Sequence, residues 1–298
     1  MSWYKKDIDS WKELIETVAA ETARSNTIVE KDAIQSMFLG NLAESGLPFV
    51  FKGGTSLSKV YGLIDRFSED IDLSMTCNPT ESQRRNSNKV ILEAGEALGL
   101  NLVNDSRVFS RHDYNSYEFK FESLFSDEPG EILVETNFFT DAYPSEVHKV
   151  NNFIKGFCND RKISVDLPVS LSQSEMLVQS IERTFIDKVF AVCDYMLQDM
   201  QHRDSRHLYD IAKLLDHVEF NEDFKRLVKD VRKDRSKLKN NLSAHPQYSI
   251  SDLLKEIIDT RFYAADYNDI TTKLLYEDYS YEKAIENGIA KVIDSAMF

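Results

Sequence analysis

The sequence predicts an α+β domain followed by an α-helical domain. Segments of strand character are confined to the first 165 residues, near 48–51, 70–75, 101–109, 116–122 and 131–139. After Pro168 the apolar residues recur with the helical period almost throughout. The segment around 164–172 is therefore the predicted boundary between a first domain, 1–165, and a second, 166–298.

Helices are predicted on both sides of this boundary. Three lie in the first domain, near 7–24, 29–45 and 80–98. The third begins at Thr80, with Gln83 three residues later, which is the spacing of a capping box. Five lie in the second domain, near 174–199, 204–217, 221–238, 250–260 and 280–296. A chain of 298 residues has room for two domains of this kind.

The composition is typical of a folded protein of the cytoplasm. Hydrophobic residues make up 42% of the chain, which is enough for a proper core. No apolar run is long enough to cross a membrane, and the N-terminal residues lack the apolar core of a signal peptide. Cys77, Cys158 and Cys193 are scattered and form no CxxC pair, so we expect reduced thiols, with neither disulfides nor a zinc site.

The charge is unevenly distributed. The net charge is −14, so bulk DNA is not an expected partner. The segment 225–239 is an exception, because it holds eight Lys or Arg and only two Asp. On a helix, four of its cations share one face: Lys225, Lys229, Arg232 and Lys233. This face is either an ordinary solvated surface or a local phosphate-binding face for RNA.

The segment 51–74, FKGGTSLSKVYGLIDRFSEDIDLS, carries the strongest functional pattern. A short apolar run meets a Gly-Gly-Thr turn, where backbone N–H groups can approach a phosphate closely. Asp70 and Asp72 follow in a strand context, so both side chains lie on one face of that strand. Two adjacent carboxylates repel each other unless a divalent cation lies between them. The pattern predicts a site for a metal and a nucleoside triphosphate.

Simpler interpretations exist for each part of this pattern. An isolated Asp-x-Asp on a strand is usually a solvated face, and an isolated Gly-Gly is usually only a turn. Their order and spacing on one strand–turn–helix–strand unit favour the joint interpretation. A P-loop is excluded, because it requires a second glycine directly before the lysine, and Val60 rather than Ser or Thr follows Lys59.

Glu135 is the candidate for a third carboxylate. It is the charged residue in the apolar run EILVETNFF, and an isolated Glu in a buried strand costs free energy unless it is paired or bound to a metal. The alternative is a residue of an edge strand that faces water. Two-metal nucleotidyl transfer normally uses a third carboxylate on a neighbouring strand.

These residues resemble the AbiEii/MenT toxins, which belong to the polymerase-β-like nucleotidyltransferase superfamily. The similarity covers about residues 25 to 220. The matching segments are Val29-Glu30-Lys31-Asp32, Gly53-Gly54-Thr55, Arg66-Phe67-Ser68-x-Asp70-x-Asp72, Arg183-Thr184-Phe185-x-x-Lys188 and Arg206-His207-Leu208-Tyr209-Asp210-Ile211. The sequence departs from the family at His207, where the family more often has Asp, and Asp210 is retained.

The resemblance implies a fold and a set of site residues. The fold is a polymerase-β-like nucleotidyltransferase core with a mixed sheet, followed by a helical domain that completes the nucleotide pocket. The implied catalytic residues are Asp70, Asp72, Glu135, Lys188 and Asp210, with the first three also binding Mg²⁺ or Mn²⁺. The implied nucleotide-binding residues are Gly53, Gly54, Thr55, Ser56, Lys59, Arg66, Ser68 and Arg206.

Two of these assignments depend on the resemblance more than on the pattern. Lys188 is the single long cation on its helix face and would neutralise triphosphate charge. Arg206 and Asp210 are spaced as an ordinary helix pair, which is worth only tenths of a kcal/mol. In the resembling family these lysine and aspartate motifs close the nucleotide pocket. Ser68 either caps a turn or, as in some similar toxins, is a serine that the antitoxin phosphorylates.

The expected function is that of a metal-dependent nucleotidyltransferase toxin of a bacterial toxin–antitoxin system. The resemblance implies transfer of a nucleotide from an NTP to RNA, at the 3′ end of a tRNA, and a cognate antitoxin as a partner. A rival interpretation is transfer to a small molecule or a protein hydroxyl, which the acidic surface favours. A second rival is a regulatory binding protein without catalysis, which the intact Asp70, Asp72 and Glu135 disfavour.

Overall fold

The computed structural model describes residues 7–76, 79–108, 113–172, 174–202 and 204–298. The chain forms two compact units. Residues up to Val60 together with Glu69–Val178 form the first, here called the sheet unit. Tyr61–Ser68 together with Gln179–Phe298 form the second, here called the helical unit. The bounds of these units differ from those of the predicted domains, 1–165 and 166–298.

The sheet unit is built around a seven-stranded sheet within the described residues. Its strands are β1 (Phe49–Lys52), β2 (Asp70–Met75), β3 (Asn101–Leu102), β4 (Tyr114–Phe121), β5 (Gly130–Asn137), β6 (Ser145–Lys149) and β7 (Glu175–Gln179). Their spatial order is β3-β4-β5-β2-β1-β7-β6. The pairs β1/β2, β3/β4 and β4/β5 are antiparallel, whereas β2/β5 and β1/β7 are parallel. The predicted α+β class with a mixed sheet is confirmed.

The middle of the sheet follows directly from residue patterns. β1 is apolar on both faces, and Phe49, Val50 and Phe51 are all buried. β4 and β5 alternate instead, so that Tyr117 pairs with Val134 and buried residues share one face. The side chains of the other face are left partly exposed. This partly exposed face of β2, β4 and β5 is the one that carries the acidic residues.

Helices of the sheet unit flank these strands. They are α1 (Ile8–Thr22), α2 (Asn26–Glu44), α3 (Gly53–Ser56), α4 (Glu81–Ala97), α5 (Phe153–Arg161) and α6 (Val169–Ser172). α4 has the predicted capping box at Thr80 and Gln83. α3 continues into a π-helical turn over Leu57–Tyr61. Neither α5 nor the edge strand β6, whose side chains are mostly exposed, was predicted, because neither has a clear apolar period.

The predicted strand at 101–109 is mostly wrong. Only Asn101–Leu102 pairs as a strand, and a 3₁₀ turn over Asp105–Arg107 follows. The buried Asn104 explains the break: its side chain donates to Ser116 O (2.9 Å) and accepts from Glu118 N (3.0 Å). A side-chain amide thus replaces the backbone ladder at this point. Residue 109 lies outside the described residues.

The predicted helix at 174–199 is wrong at its start. Residues Glu175–Gln179 form β7, which pairs in parallel with β1 through Val50–Leu177 and Phe51–Val178. The helix begins only at Ile181, because the side chain of Ser180 accepts a hydrogen bond from Arg183 N and so caps it. A five-residue strand next to a long helix has too few residues to show its own period.

Lys59 is an internal residue of the sheet unit, contrary to its predicted nucleotide-binding role. Its ammonium group donates to Asp32 O (2.9 Å), to Ser36 Oγ (2.9 Å) and to the Asp32 carboxylate. The other carboxylate oxygen of Asp32 accepts from Phe153 N at 2.8 Å. Burial lowers the pKa of Lys59, and the negative charge of Asp32 opposes that shift. This ion pair joins the glycine turn to α2 and α5.

The helical unit contains eight helices among its described residues. They are α7 (Ile181–Leu197), α8 (Arg206–Leu214), α9 (Glu222–Arg235), α10 (Ile250–Asp259), α11 (Ala264–Asp266), α12 (Thr272–Leu274), α13 (Tyr281–Ala284) and α14 (Lys291–Ser295). The predicted helix at 280–296 is interrupted by a π-helical turn over Ile285–Ala290, where Gly288 lies against the backbone of Ala212. No described helix is long and apolar enough to span a membrane.

The segment Tyr61–Ser68 is held by hydrogen bonds inside the helical unit. Tyr61 Oη donates to Gln179 O at 2.9 Å, and Asp65 N donates to Tyr209 Oη at 3.0 Å. Phe67 N donates to Leu274 O at 2.9 Å. A short piece of chain from between the glycine turn and β2 therefore folds with residues more than a hundred positions later.

Candidate active site

The sheet brings three predicted carboxylates onto one face. β2 lies between β1 and β5, and its residues Asp70 and Asp72 are half-buried, while Ile71 and Leu73 are buried on the other face. In the register of β2 with β5, Asp72 lies beside Glu135. Register partners on neighbouring parallel strands point to the same side. Asp70, Asp72 and Glu135 therefore share the accessible face, as the sequence predicted.

The glycine turn lies against the second aspartate. Gly53 has a φ of +76°, in the left-handed region that favours glycine. A Cβ added to Gly53 would lie 1.9 Å from Asp72 Oδ2. The strand register agrees with this contact, because the preceding residue, Lys52, pairs with Asp72. Only glycine at position 53 leaves room for the Asp72 carboxylate.

The hydroxyl groups of the turn hold it in place. Thr55 Oγ1 donates to Asp70 O at 2.5 Å, and Ser56 Oγ donates to Gly53 O at 2.9 Å. Both residues are buried. The first N–H groups of α3 have no side-chain cap at Lys52. Both hydroxyl groups therefore have partners inside the protein, and nucleotide binding by Gly53, Gly54, Thr55 and Ser56 stays a prediction.

Two side chains near the carboxylates were missed by the sequence analysis. Tyr114 Oη on β4 donates to Glu135 Oε1 at 2.6 Å and so orients that carboxylate. Lys31 on α2 lies near the carboxylates: burial lowers its pKa, and the charges of Glu69, Asp70 and Glu131 act against that shift. Strand alternation could have placed Tyr114 on the right face, but no local pattern indicates its partner.

The donor chemistry of this face fits a hard divalent cation. Carboxylate oxygens are the preferred ligands of Mg²⁺ and are also suited to Mn²⁺. Among the described residues, however, no three His, Cys, Asp or Glu side chains are grouped closely enough to hold an ion. Glu135 is bonded to Tyr114 instead. The predicted metal ligands Asp70, Asp72 and Glu135 thus share a face without forming a closed set of ligands.

The helical unit holds a second cluster, centred on Asp210. The Asp210 carboxylate is fully buried and accepts from Arg66 Nε at 2.7 Å and Arg66 Nη2 at 2.8 Å. It also accepts from Lys188 Nζ at 2.6 Å. The third Arg66 nitrogen, Nη1, donates to Phe67 O at 2.9 Å. Two cations therefore share one carboxylate, and α7, α8 and the segment Tyr61–Ser68 meet at it.

The charge state of this cluster follows from its contacts. Burial opposes ionisation of Asp210, but Arg66 and Lys188 outweigh it and hold the pKa of Asp210 well below its usual range. Burial and then the Lys188 charge lower the pKa of His207 to about 4. Neutral His207 accepts from Lys188, whose Nζ lies 3.3 Å from its Nδ1. Burial lowers the pKa of Lys188 as well, and the negative charge of Asp210 opposes that shift.

These contacts correct one predicted role and leave others as predictions. Arg66 was expected to bind the nucleotide, but all three nitrogens of its buried guanidinium group donate to Asp210 or to Phe67 O. Lys188 and Asp210 form an ion pair, and their catalytic function stays a prediction. Arg206 Nη2 lies 3.0 Å from Asp204 Oδ1. Ser68 is half-buried and precedes β2.

The predicted RNA-binding residues lie on α9, as expected, but they differ in what they contact. Lys229 and Lys233 are exposed, and Lys225 is half-buried. Arg232 instead donates to the carbonyl oxygens of Ala244, His245 and Tyr248, so its role in contacting RNA directly is not supported.

The contact between Gly53 and Asp72 can be tested with a matched pair of variants. Gly46 also has a positive φ, +71°, but no atom lies within 4 Å of an added Cβ there. Gly53→Ala and Gly46→Ala should each cost about 1 kcal/mol of backbone strain. Only Gly53→Ala should abolish nucleotide transfer, because it displaces Asp72. Urea unfolding and a transfer assay measure both effects. Equal activity of the two variants would contradict the contact.

The neutral state of His207 predicts a pH dependence of stability. The pKa of His207 in the folded state, about 4, is below its value in the unfolded state. Its contribution to folding stability is therefore complete above about pH 6.5 and is lost as the pH falls towards 4. Between about pH 7.5 and about pH 5, the unfolding free energy of the wild type should fall by on the order of 1–2 kcal/mol more than that of His207→Asn. Asn retains an acceptor for Lys188. Parallel losses in urea titrations of the two proteins would contradict this charge state.

Comparisons with known proteins place the sequence in a family. The family model for the nucleotidyl transferase AbiEii toxin of type IV toxin–antitoxin systems matches residues 38–287. The matched range contains every residue that we predicted to be catalytic, from Asp70 to Asp210. No curated protein matches the sequence significantly.

Two solved structures from Helicobacter pylori are similar to this chain. One is the crystal structure of JHP933, with 19% identity and a TM-score of 0.48, covering 92% of this chain and 94% of that one. The other is a protein assigned provisionally as a nucleotidyltransferase, with 19% identity and a TM-score of 0.49, covering 92% and 97%. Because the family model spans most of the 298 residues, the chain belongs to the AbiEii family of nucleotidyl transferase toxins.

Proposed function

We propose that this protein transfers a nucleotide from a nucleoside triphosphate to an RNA acceptor in a reaction that needs Mg²⁺ or Mn²⁺. The observation that carries the proposal is the shared face of Asp70, Asp72 and Glu135, with Gly53 in contact with Asp72. Acidic residues beside a glycine turn are suited to a triphosphate only when a cation offsets the negative charges. Family membership supports the class of reaction.

The glycine turn is the proposed binding place of the phosphates. The N-terminus of α3 lacks a side-chain cap, and backbone N–H groups at such a turn can bind phosphate oxygens. The helix continues through the π-helical turn to Tyr61, and the ion pair between Lys59 and Asp32 fixes its position. Lys59, which the sequence predicted to bind the nucleotide, thus positions the turn instead.

The carboxylates have separate proposed tasks. Asp70 and Asp72 would hold the cation, which would offset phosphate charge and polarise the α-phosphate. Glu135, oriented by Tyr114, takes the proton of the acceptor hydroxyl. The hydroxyl oxygen then forms a bond to the α-phosphorus as the bond to pyrophosphate breaks. The family resemblance assigns a catalytic role to Lys188 and Asp210 as well, and these two residues form an ion pair within the helical unit.

The proposed acceptor is the 3′ end of a tRNA, whose modification would stop translation. A cognate antitoxin is the expected partner, and Ser68 is the expected place of a phosphorylation switch if the antitoxin acts in that way. Both expectations come from the family resemblance. The exposed lysines of α9 support an RNA acceptor, because they carry positive charge on a protein whose net charge is −14.

The acidic character of the whole chain favours a second candidate. An acceptor hydroxyl on a small molecule or a protein would not require a large positive surface. The net charge of −14 is the observation in its favour, and the basic segment 225–239 is the observation against it. The destination of the transferred nucleotide separates the two candidates.

Removal of either aspartate from the β2 face should abolish transfer without unfolding the protein. Asp70→Asn and Asp72→Asn should each lower the transfer rate at least ~100-fold, because each removes a negative charge that binds the cation. Their melting temperatures should be unchanged or higher, since one of two repelling carboxylates is gone. Glu128→Gln, an exposed change of the same kind in the sheet unit, is the control. Full activity of both Asn variants would exclude this site.

Growth of bacteria tests the biological consequence. Expression of the wild-type chain alone should halt growth, and Asp72→Asn, expressed to the same level, should not. The expected cause is loss of transfer rather than loss of folded protein, so immunoblots and melting curves accompany the growth curves. Normal growth with soluble, catalytically active wild-type protein would shift support to the small-molecule acceptor.

A further inference from the structure

The helical unit contains a groove beside the exposed lysines of α9. It lies between α9 and the segment that leads into α10, and its volume is about 590 Å³. Its lining includes Lys229, Arg232, Lys233, Tyr248, Ser249 and Phe298. Clefts of roughly 300 to 1,000 Å³ are the usual size for small-molecule and nucleotide-sized ligands.

The charge of this groove is unusual for so acidic a chain. Lys229 and Lys233 lie one helical turn apart, are exposed, and form no ion pair with any residue that the structure describes. Nearby cations are paired: Arg226 with Asp223, and Arg235 with Asp187 and Asp194. Within the described part of the chain, no Asp or Glu side chain lines the groove. Its positive charge is therefore available to a ligand.

The groove is also held rigidly. Arg232 Nε donates to Ala244 O at 3.3 Å, and Arg232 Nη2 donates to His245 O at 3.4 Å and to Tyr248 O. These bonds attach the segment after α9 to the helix itself. Phe298 is fixed as well, because its ring packs 6.0 Å from Phe224 and 6.1 Å from Phe190, measured between ring centroids. Little reorganisation is needed before a ligand binds.

We propose that this groove binds an unpaired nucleotide of the RNA acceptor, with the phosphate on Lys229 and Lys233 and the base against Tyr248. The proposal rests on the proposed function for the identity of the nucleic acid. Exposed lysines beside an aromatic side chain are the combination that binds single strands, since cations bind the phosphates and rings stack on unpaired bases. A duplex offers the phosphates but no unstacked base. An acidic peptide would use the lysines but would not need Tyr248.

The groove is tested by measuring the fluorescence anisotropy of a short labelled single-stranded oligoribonucleotide in EDTA, where no transfer occurs. The double variant Lys229→Ala/Lys233→Ala should bind about 25-fold more weakly than the wild type in about 0.1 M salt. The slope of log K against log salt should fall by ~1.4, which is two phosphate contacts at ~0.7 each. Lys255→Ala/Lys291→Ala removes the same charge from exposed positions outside the groove and should bind like the wild type.

Tyr248 variants separate the base from the phosphate. Tyr248→Ala should weaken binding about 5-fold or more with an unchanged salt slope, whereas Tyr248→Phe, which keeps the ring, should bind like the wild type. A duplex of the same sequence should bind more weakly and be insensitive to Tyr248→Ala.

Equal binding by the wild type and Lys229→Ala/Lys233→Ala, or an equal loss in the Lys255→Ala/Lys291→Ala control, would overturn the groove as the binding place. Equal sensitivity of duplex and single strand to Tyr248→Ala would overturn the unpaired base. Because binding is measured without metal, each result is independent of catalysis. If the wild type transfers nucleotides and the groove variants bind RNA normally, the groove is not the binding place and the proposed function stands. If RNA binding depends on the groove but the wild type transfers no nucleotide, the proposed function is wrong and the groove stands.

Discussion

The carboxylate of Asp72 is placed by two strand pairs and by the glycine turn together. β2 is the strand next to both β1 and β5, so the register of two different strand pairs places Asp72 beside Lys52 on one side and Glu135 on the other. The Gly53 backbone then approaches so closely that a Cβ at that position would collide with the Asp72 carboxylate. A shift of either register by one residue would turn the acidic face to the buried side.

Each unit also contains a buried ion pair that joins elements of that unit. In the sheet unit, Lys59 and Asp32 fix the end of the glycine turn on α2. In the helical unit, Asp210 holds Arg66 and Lys188. Burying a charged group costs several kcal/mol of hydration free energy per ion, so a buried ion pair need not increase the free energy of unfolding. The Asp210 cluster fixes α7, α8 and the segment Tyr61–Ser68 at one point, with neutral His207 as an acceptor for Lys188.

The sequence was most informative where function depends on neighbouring residues. Asp70 and Asp72 are two residues apart, and the strand predicted at 70–75 has those bounds in the structure. Glu135 could be singled out because a buried charge in an apolar strand costs free energy unless it is paired or bound to a metal. The fold class, the capping box of α4 and the basic helix α9 were predicted for the same local reasons.

The remaining features depend on partners that are distant in the chain. Arg66 looked like a phosphate ligand beside the aspartates, but its partner Asp210 lies 144 residues later. Arg232 looked like one of four equivalent surface cations until the carbonyl oxygens of the following segment engaged it. β7 was hidden because its strand pairing, with β1, joins residues far apart in sequence. Local periodicity carries no information about such pairs.

If the face formed by Asp70, Asp72 and Glu135 supports nucleotide transfer, a radioactive phosphate of the NTP will follow a defined path. Each of the four NTPs, labelled at either the α- or the γ-phosphate, is incubated with the protein, Mg²⁺ and total bacterial RNA, with EDTA in a parallel reaction. We expect label in RNA only from an α-labelled nucleotide, release of γ-label as pyrophosphate, and no transfer in EDTA. Label in RNA from the γ-position, or equal transfer in EDTA, would contradict this expectation.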